Sequence, residues 1–306
     1  MNRIIISAKG LSKRYKELVA VDNVDFQIAE GETFGFLGPN GAGKTTTMKM
    51  LYCFIIPDSG TLEVDGFDVK SNPRQVKQIL GVVHQEDSLD PDLTVKENLI
   101  TYARYFDISP KISAPRADQL IEMMSLTDKR DTIIEELSGG MKRRLMIIRG
   151  LINNPRILIL DEPTTGLDPQ ARHLVWQKLR ALKKSGITII LTTHYMEEAA
   201  QLCDRLVMMH NSHIIAAGSP TELVSEYVSR EVVEIRDADE HLIAQLPELI
   251  GPTEHFEKAD DTIYIYTHDA ANIMMKLRKY QFGGLLERRA NLEDVFLKLA
   301  GRGLTD

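Results

Sequence analysis

The sequence predicts an α/β fold: a layered domain over residues 1–218 with a helical insertion at about 87–152, then a small α+β domain over 219–306. Three observations carry this expectation. "TFGFLGPNGAGKTT" (33–46) reads as a strand that runs through a glycine loop into a helix. "RILILDEP" (156–163) is a largely apolar strand of the buried parallel kind, and it ends in two acids. Helix and strand then alternate until "GSPTEL" (218–223), where composition and rhythm change.

The elements follow in order. The N-terminus, "MNRIIISAKGL", has only a short apolar run before Lys9 and reads as a strand rather than a signal peptide. Apolar alternation in "VDNVDFQIAEGE" (21–32), with Gly31, reads as a strand and turn. Met48, Leu51, Tyr52 and Ile55 form one face of the helix after the glycine loop, and "PDSG" (57–60) ends it. A strand at 80–84 leads into the acidic loop "QEDSLDPD" (85–92), and 94–126 has a helical pattern. Ser138 sits at an N-cap position, ahead of Met141, Leu145, Ile148 and Ile152 on one helical face, and "NNP" (153–155) stops that helix. A helix at 171–184, the strand "ITIILTTH" (187–194) and a helix from Glu197 complete the alternation. The second domain reads as strand 232–236, helix 239–249, strand 262–266, helix 270–280, strand 285–288 and helix 292–300, the last capped by Asn291.

Composition narrows the function. The net charge of -7, from 37 basic and 44 acidic residues, argues against a surface built to grip nucleic acid. Cys53 and Cys203 lie in apolar patterned segments and read as reduced, packed thiols, which points to a reducing compartment. No run of about 18 uncharged apolar residues occurs, so no transmembrane helix is expected and any membrane contact would come through a partner.

"GPNGAGKT" fits the phosphate-loop spacing, which places Gly38, Pro39, Asn40, Gly41, Ala42, Gly43, Lys44, Thr45 and Thr46 around bound phosphates. Glycines let backbone N–H groups converge on the phosphates at a helix N-terminus. Lys44 would reach the β- and γ-phosphates and Thr45 would ligate Mg²⁺. Asp161, at a strand end, can hold Mg²⁺ through water, and Glu162 beside it can polarise an attacking water. Gln85 could sense the γ-phosphate, Mg²⁺ or water, although a lone Gln in a loop is usually just a solvated side chain. His194 ends a strand and shares a sheet edge with Asp161 in any parallel arrangement, where a lone His is either structural or catalytic. "LSGGMKRRLM" (137–146) holds a second glycine turn, Ser138, Gly139 and Gly140, at the N-terminus of a helix in the insertion. If the insertion projects from the sheet, that turn serves the nucleotide of a second copy, in a twofold head-to-tail dimer. The basic run Lys142, Arg143, Arg144 reads first as a solvated helix face and second as a contact to the partner.

With these motifs in this order, residues 4–217 resemble the nucleotide-binding subunits of ABC transporters. The resemblance rests on "GPNGAGKTT", the Gln85 loop, the signature "LSGGM", "ILILDEP", "TTGLDP" and "TTHYMEEA". It implies a phosphate-loop NTPase that binds and hydrolyses ATP with Mg²⁺, with Gln85 among the metal contacts. It further implies that Tyr15 stacks on adenine, that the signature turn completes the partner's ATP site and that Asp168 lines the dimer interface. Met141 stands where many relatives have Gln, and His84 where proline is expected before Gln85. Met141 and the tail "LLERRANLEDVFLKLAGRGL" (285–304) are similar to the exporter branch of drug and nodulation-factor subunits. The partners this implies are a second copy and a polytopic membrane permease, with no nucleic acid, and the place is the cytoplasmic face of the membrane. A soluble ABC ATPase acting on ribosomes or DNA is the second reading, set against by the single uninterrupted domain and the acidic balance. An importer ATPase fits the core equally, and only Met141 and the tail disfavour it. The C-terminal domain would support the dimer or regulate it.

Overall fold

The computed structural model describes residues 3–251 and 254–300, in two compact units, Met1–Ala217 and Gly218–Asp306. The end of the exporter-like tail, 301–304, lies outside the described residues.

The first unit opens with a long hairpin, β1 (Ile4–Tyr15) and β2 (Leu18–Ala29), turned at Lys16 in a left-handed conformation. Strand β3 (Thr33–Leu37) feeds the glycine loop and helix α1 (Lys44–Leu51). Strands β4 (Ser59–Val64) and β5 (Phe67–Asp68) join the hairpin in an antiparallel sheet of order β2-β1-β4-β5. After α2 (Pro73–Ile79) and β6 (Leu80–Val83) come the insertion helices α3 (Val95–Ala103), α4 (Pro110–Met123) and α5 (Gly139–Arg149). Then β7 (Ile157–Asp161), α6 (Pro169–Lys184), β8 (Thr188–Thr193), α7 (Met196–Leu202), β9 (Arg205–His210) and β10 (His213–Gly218) complete a six-stranded sheet of order β10-β9-β3-β8-β7-β6.

Every residue of β3, β7 and β8 is buried, which explains their largely apolar runs. They pair in parallel, with Leu37 opposite Thr193 and Asp161 opposite Thr192. That register brings the glycine loop, the Asp161–Glu162 pair and His194 to one carboxyl edge, where open α/β sheets bind ligands. The core packs Phe26 of the antiparallel sheet edge-on to Phe36 of β3, ring centroids 5.1 Å apart, beside Met48 and Leu51 of α1. Helix α1 ends at Leu51, short of the expected "PDSG", because Cys53 adopts a positive φ of 56° that no helix can continue through. Ile55 therefore lies beyond the helix and packs partly buried against the core.

The second unit begins with α8 (Pro220–Tyr227), closed by a capping box between Ser219 and Glu222. Strand β11 (Glu231–Arg236), α9 (Glu240–Leu249), β12 (His255–Ala259), β13 (Thr262–Thr267), α10 (Ala270–Leu277) and β14 (Gly284–Arg289) follow, then α11 (Leu292–Ala300). The sheet order β12-β13-β11-β14, all antiparallel, is a split β-α-β arrangement. Val233, Ile235, Ile263 and Ile265 pack on Leu242, Leu246, Ile273 and Leu277. The sequence reading misses β12, because an edge strand with Glu257 and Lys258 carries little apolar signal. It also carries α10 to 280, whereas the helix stops at Leu277.

A charged knot holds this unit. Arg288 donates to Glu234 Oε1 at 2.5 Å and forms a fork onto both oxygens of Asp294 at 2.7 and 2.8 Å. The Asp294 side chain is 1% exposed. Removing the cation leaves two buried carboxylates with no positive charge between them, although Asp294 keeps the Asn291 N–H at 2.9 Å, so Arg288→Met should cost about 3 kcal/mol. Urea unfolding of the full chain, followed by amide exchange on 231–236, measures it. A change below ~0.5 kcal/mol, the level of an ordinary surface substitution, would contradict the buried-pair account.

Candidate active site

The phosphate loop runs from Gly38 to Thr46 between β3 and α1. Gly38 is held by close approach: an added Cβ would lie 2.2 Å from the Met209 carbonyl oxygen. Gly43 needs both space and conformation, with φ of 102° and an added Cβ 2.4 Å from the Ala20 carbonyl oxygen. Lys44 folds back to donate to the carbonyls of Gly38 at 2.7 Å and Pro39 at 2.9 Å. Burial pushes its ammonium below the usual lysine range, and the carboxylates of Glu162 and Asp161 oppose that shift.

Glu162 is the hub. Its Oε1 lies 4.0 Å from Lys44 Nζ and 3.3 Å from His194 Nδ1. Its Oε2 accepts from Gln85 Nε2 at 3.3 Å and from the Thr165 hydroxyl at 3.0 Å. The structure thus brings Lys44, Gln85 and His194 onto one carboxylate, although they lie far apart in the chain. Glu162 itself has a left-handed backbone, φ 48°, fixed by its N–H donating to the Thr192 hydroxyl at 3.0 Å and the Thr192 carbonyl at 3.2 Å. Asp161 Oδ1 accepts from the Thr45 hydroxyl at 3.2 Å and also from the Thr192 hydroxyl.

Tyr15, Asn40, Gly41, Gly43, Lys44, Thr45, Thr46, Gln85 and Glu162 line one hollow, together with Leu18 and Ala20. Tyr15 is 42% exposed at its rim. Ser138, Gly139, Gly140 and Asp168 line a second hollow with Met141 and Gly166, and the two hollows have no lining residue in common. Ser138 caps α5 by accepting from Met141 N–H at 3.3 Å, and Asp168 caps α6 by accepting from Ala171 N–H at 2.9 Å. Gly140 is a packing glycine, since its Cβ would lie 2.9 Å from Ala171 Cβ. An added Cβ at Gly139 would meet nothing within 4 Å, and its φ is not in the left-handed region. Nothing among the described residues requires glycine there.

One expectation is overturned. Arg143 and Arg144 do not form a solvated face: both side chains are buried. Arg144 donates to the Met124 and Ser125 carbonyls, and Arg143 to carbonyls beside the hub. A helical wheel of α5 cannot reveal this, because backbone carbonyls from other segments carry no sequence signal. Thr192 and Thr165, which bond to Asp161 and Glu162, and the buried Glu198, which accepts from Thr164 at 2.7 Å and Trp176 at 3.0 Å, are further polar groups of these segments that the sequence reading missed. Thr192 had one signal, its place two residues before His194, but its neighbour Asp161 is set by strand register alone.

Comparison with known proteins identifies the family. The family profile for ABC transporters matches residues 21–165. That for the C-terminal domain of the nodulation factor export protein NodI matches 244–301. The Nod factor export ATP-binding protein I of Ralstonia nicotianae is 46% identical over 309 residues, covering 99% of this chain and 95% of that protein. The protein of the same name from Paraburkholderia xenovorans is 46% identical, with both chains covered completely (100%). The chain belongs to the ATP-binding subunits of ABC transporters, in the branch of the Nod factor export proteins I. Among solved structures, this ABC subunit is similar to a dimeric ATP-binding cassette in a post-hydrolysis state bound to ADP and Pi, with TM-score 0.64, 27% identity, and 70% of this chain and 98% of that one covered. It is also similar to cbiO1 of Clostridium perfringens, part of an ABC transporter complex, with TM-score 0.68, 27% identity, and 73% and 91% coverage. These relatives favour the exporter-type ATP-binding subunit over the soluble and importer readings.

Proposed function

We propose that this ABC subunit binds two MgATP between two copies of itself, hydrolyses them, and so drives export through a separate polytopic membrane subunit. The observation that carries the two-copy reading is the separation of the hollows, with a glycine at 139 that nothing near it in the chain requires. Such a glycine suits the close approach of a ligand's phosphates. In the closed dimer the phosphate loop and Lys44 hold the phosphate tail from one side. The partner's copy of the 138–140 turn and of Asp168 closes the other side.

Tyr15, at the rim, stacks on adenine. Lys44 exchanges its two carbonyl contacts for phosphate oxygens. The oxygens of Thr45, Asp161 and Gln85 form the hard donor set that suits Mg²⁺, which when bound neutralises phosphate charge. Glu162 takes a proton from the attacking water as its oxygen bonds to the γ-phosphorus. The bond to the β–γ bridging oxygen breaks, and ADP keeps that oxygen. Gln85 orients the water, while Lys44 and His194 stabilise charge around the reacting phosphate. Closure is favoured only to the extent that nucleotide binds the closed dimer better than the open one.

No helix among the described residues is long and apolar enough to cross a membrane. Membrane attachment at the cytoplasmic face therefore falls to the partner. A hollow lined by Tyr52, Phe54, His84, Tyr102, Tyr105 and Phe106, beside the loop after Gln85, suits the cytoplasmic helices of that subunit. Phe54 is 71% and Tyr105 79% exposed there, a large apolar surface to leave in water. Residues 1–218 would form the ATPase domain and 219–306 an accessory domain that supports or regulates the dimer. The cargo follows the relatives named for Nod factor export, or a related lipid-glycan or drug, and the membrane subunit selects it.

The test is co-purification. The tagged chain, extracted from its own membranes in mild detergent, is expected to bring down a stoichiometric polytopic protein. Recovery of ribosomal or DNA-bound proteins in its place would overturn the exporter reading.

A further inference from the structure

Arg143 lies on α5, one turn into the helix that begins at the Ser138 turn, and it is 7% exposed. Its planar guanidinium makes five hydrogen bonds to backbone carbonyls of two separate segments. Nε donates to Pro163 at 2.7 Å; one terminal nitrogen donates to His84 at 2.7 Å and Gln85 at 3.3 Å; the other donates to Asp161 and Glu162, both at 2.8 Å. A lysine has three donors in a tetrahedral array and cannot match that fork. Those carbonyls belong to the strand-end segments that carry Gln85 and Glu162, the two side chains that meet each other at 3.3 Å.

Burial works against this cation and lowers its pKa, while the carboxylates of Glu198, Asp161, Glu162 and Asp87 oppose that cost. A side chain that only filled space would be apolar and would avoid the cost. Glu162 also sits in a left-handed backbone conformation, which persists only when neighbours over-determine it.

Resting on the ATPase reading above, we propose that Arg143 is a positioning residue that couples the 138–140 turn, which faces a second copy, to Gln85 and Glu162, which face this chain's own nucleotide. A shift of α5 on engaging the partner's phosphates carries the guanidinium with it, and the Gln85 and Glu162 segments follow their carbonyls. Occupancy of one site is thereby reported at the other, which is a coupling free energy between sites.

The experiment compares the full-length wild type with Arg143→Lys, Arg143→Gln and Arg143→Ala, each checked for folding by circular dichroism. A wild type that binds but never hydrolyses ATP, alone or with its membrane partner, refutes the ATPase reading itself, and the coupling with it. With an active wild type, both Lys and Gln variants should bind a fluorescent ATP analogue within ~3-fold of wild type yet lose about 10²-fold in kcat, the scale of a displaced catalytic group. Their Hill coefficient for ATP should fall from ~2 toward ~1. ATP-induced amide protection of 84–90 should weaken in both. Millimolar guanidinium should restore kcat to Arg143→Ala with saturation. Wild-type kcat and Hill coefficient in a folded Lys or Gln variant would overturn the proposal. A lowered kcat with an unchanged Hill coefficient would leave a clamp without coupling and overturn it as well. If none of the variants folds, Arg143 is a scaffold residue and the coupling role falls.

Discussion

Glu162→Gln should hydrolyse ATP about 10²–10⁴-fold more slowly than the wild type, the range for loss of a general base, and should bind nucleotide as well as before. The substitution is nearly isosteric. Gln at 162 keeps an oxygen that can accept from Thr165 or from Gln85, and its backbone bonds to Thr192 are untouched. What disappears is the anion that sits between Lys44 and His194 and would take the water's proton. Because ATP then persists, the variant should accumulate as a closed dimer, visible in gel filtration with ATP and dispersed without it. Single-turnover phosphate release measures the chemical step. A variant that hydrolyses at the wild-type rate would remove Glu162 from the role of base.

Ser138→Arg, made in the Glu162→Gln background, should abolish that ATP-dependent dimer and leave the monomer's nucleotide binding within ~3-fold of its starting value. The bulk and charge enter the hollow of Gly139 and Asp168, which shares no lining residue with the hollow of Lys44. Loss of the Ser138 cap costs about 1 kcal/mol, which leaves a folded chain to test. Gly139→Ala separates packing from ligand approach still more cleanly. Its methyl meets nothing within 4 Å, so stability should hold or rise by at most about 1 kcal/mol, the interior-helix preference of alanine over glycine, since residue 139 is the first of α5. Dimerisation should nonetheless weaken, since the added methyl would face the partner's phosphates. Dimers of unchanged affinity in both variants would sink the two-sided site.

Much of this was legible in the chain. The strand–loop–helix of "GPNGAGKTT" and the acids that end "ILILDE" need only local chemistry, because a phosphate loop is built from its own backbone. The buried strands β3, β7 and β8 announced themselves, since both faces are covered and, Asp161 at the end of β7 apart, every position is apolar or hydroxylic. The N-caps read from the chain, Ser138 and Asn291, accept from N–H groups two or three positions on, so they rest on local chemistry alone.

Other features were decided only by the tertiary structure. Strand register chose which residue stands opposite Asp161, and it chose Thr192. The meeting of Lys44, Gln85 and His194 on Glu162 spans four strand ends whose order in the sheet is not their order in the chain. Arg143 shows the limit most plainly: its residue type predicted solvent, and five backbone carbonyls from distant segments buried it. Sequence by itself determined what depends on near neighbours: the loop, the caps and the buried parallel strands. Packing decided what depends on which segments meet, because a carbonyl looks the same in every residue and carries its meaning only through what the fold brings to it.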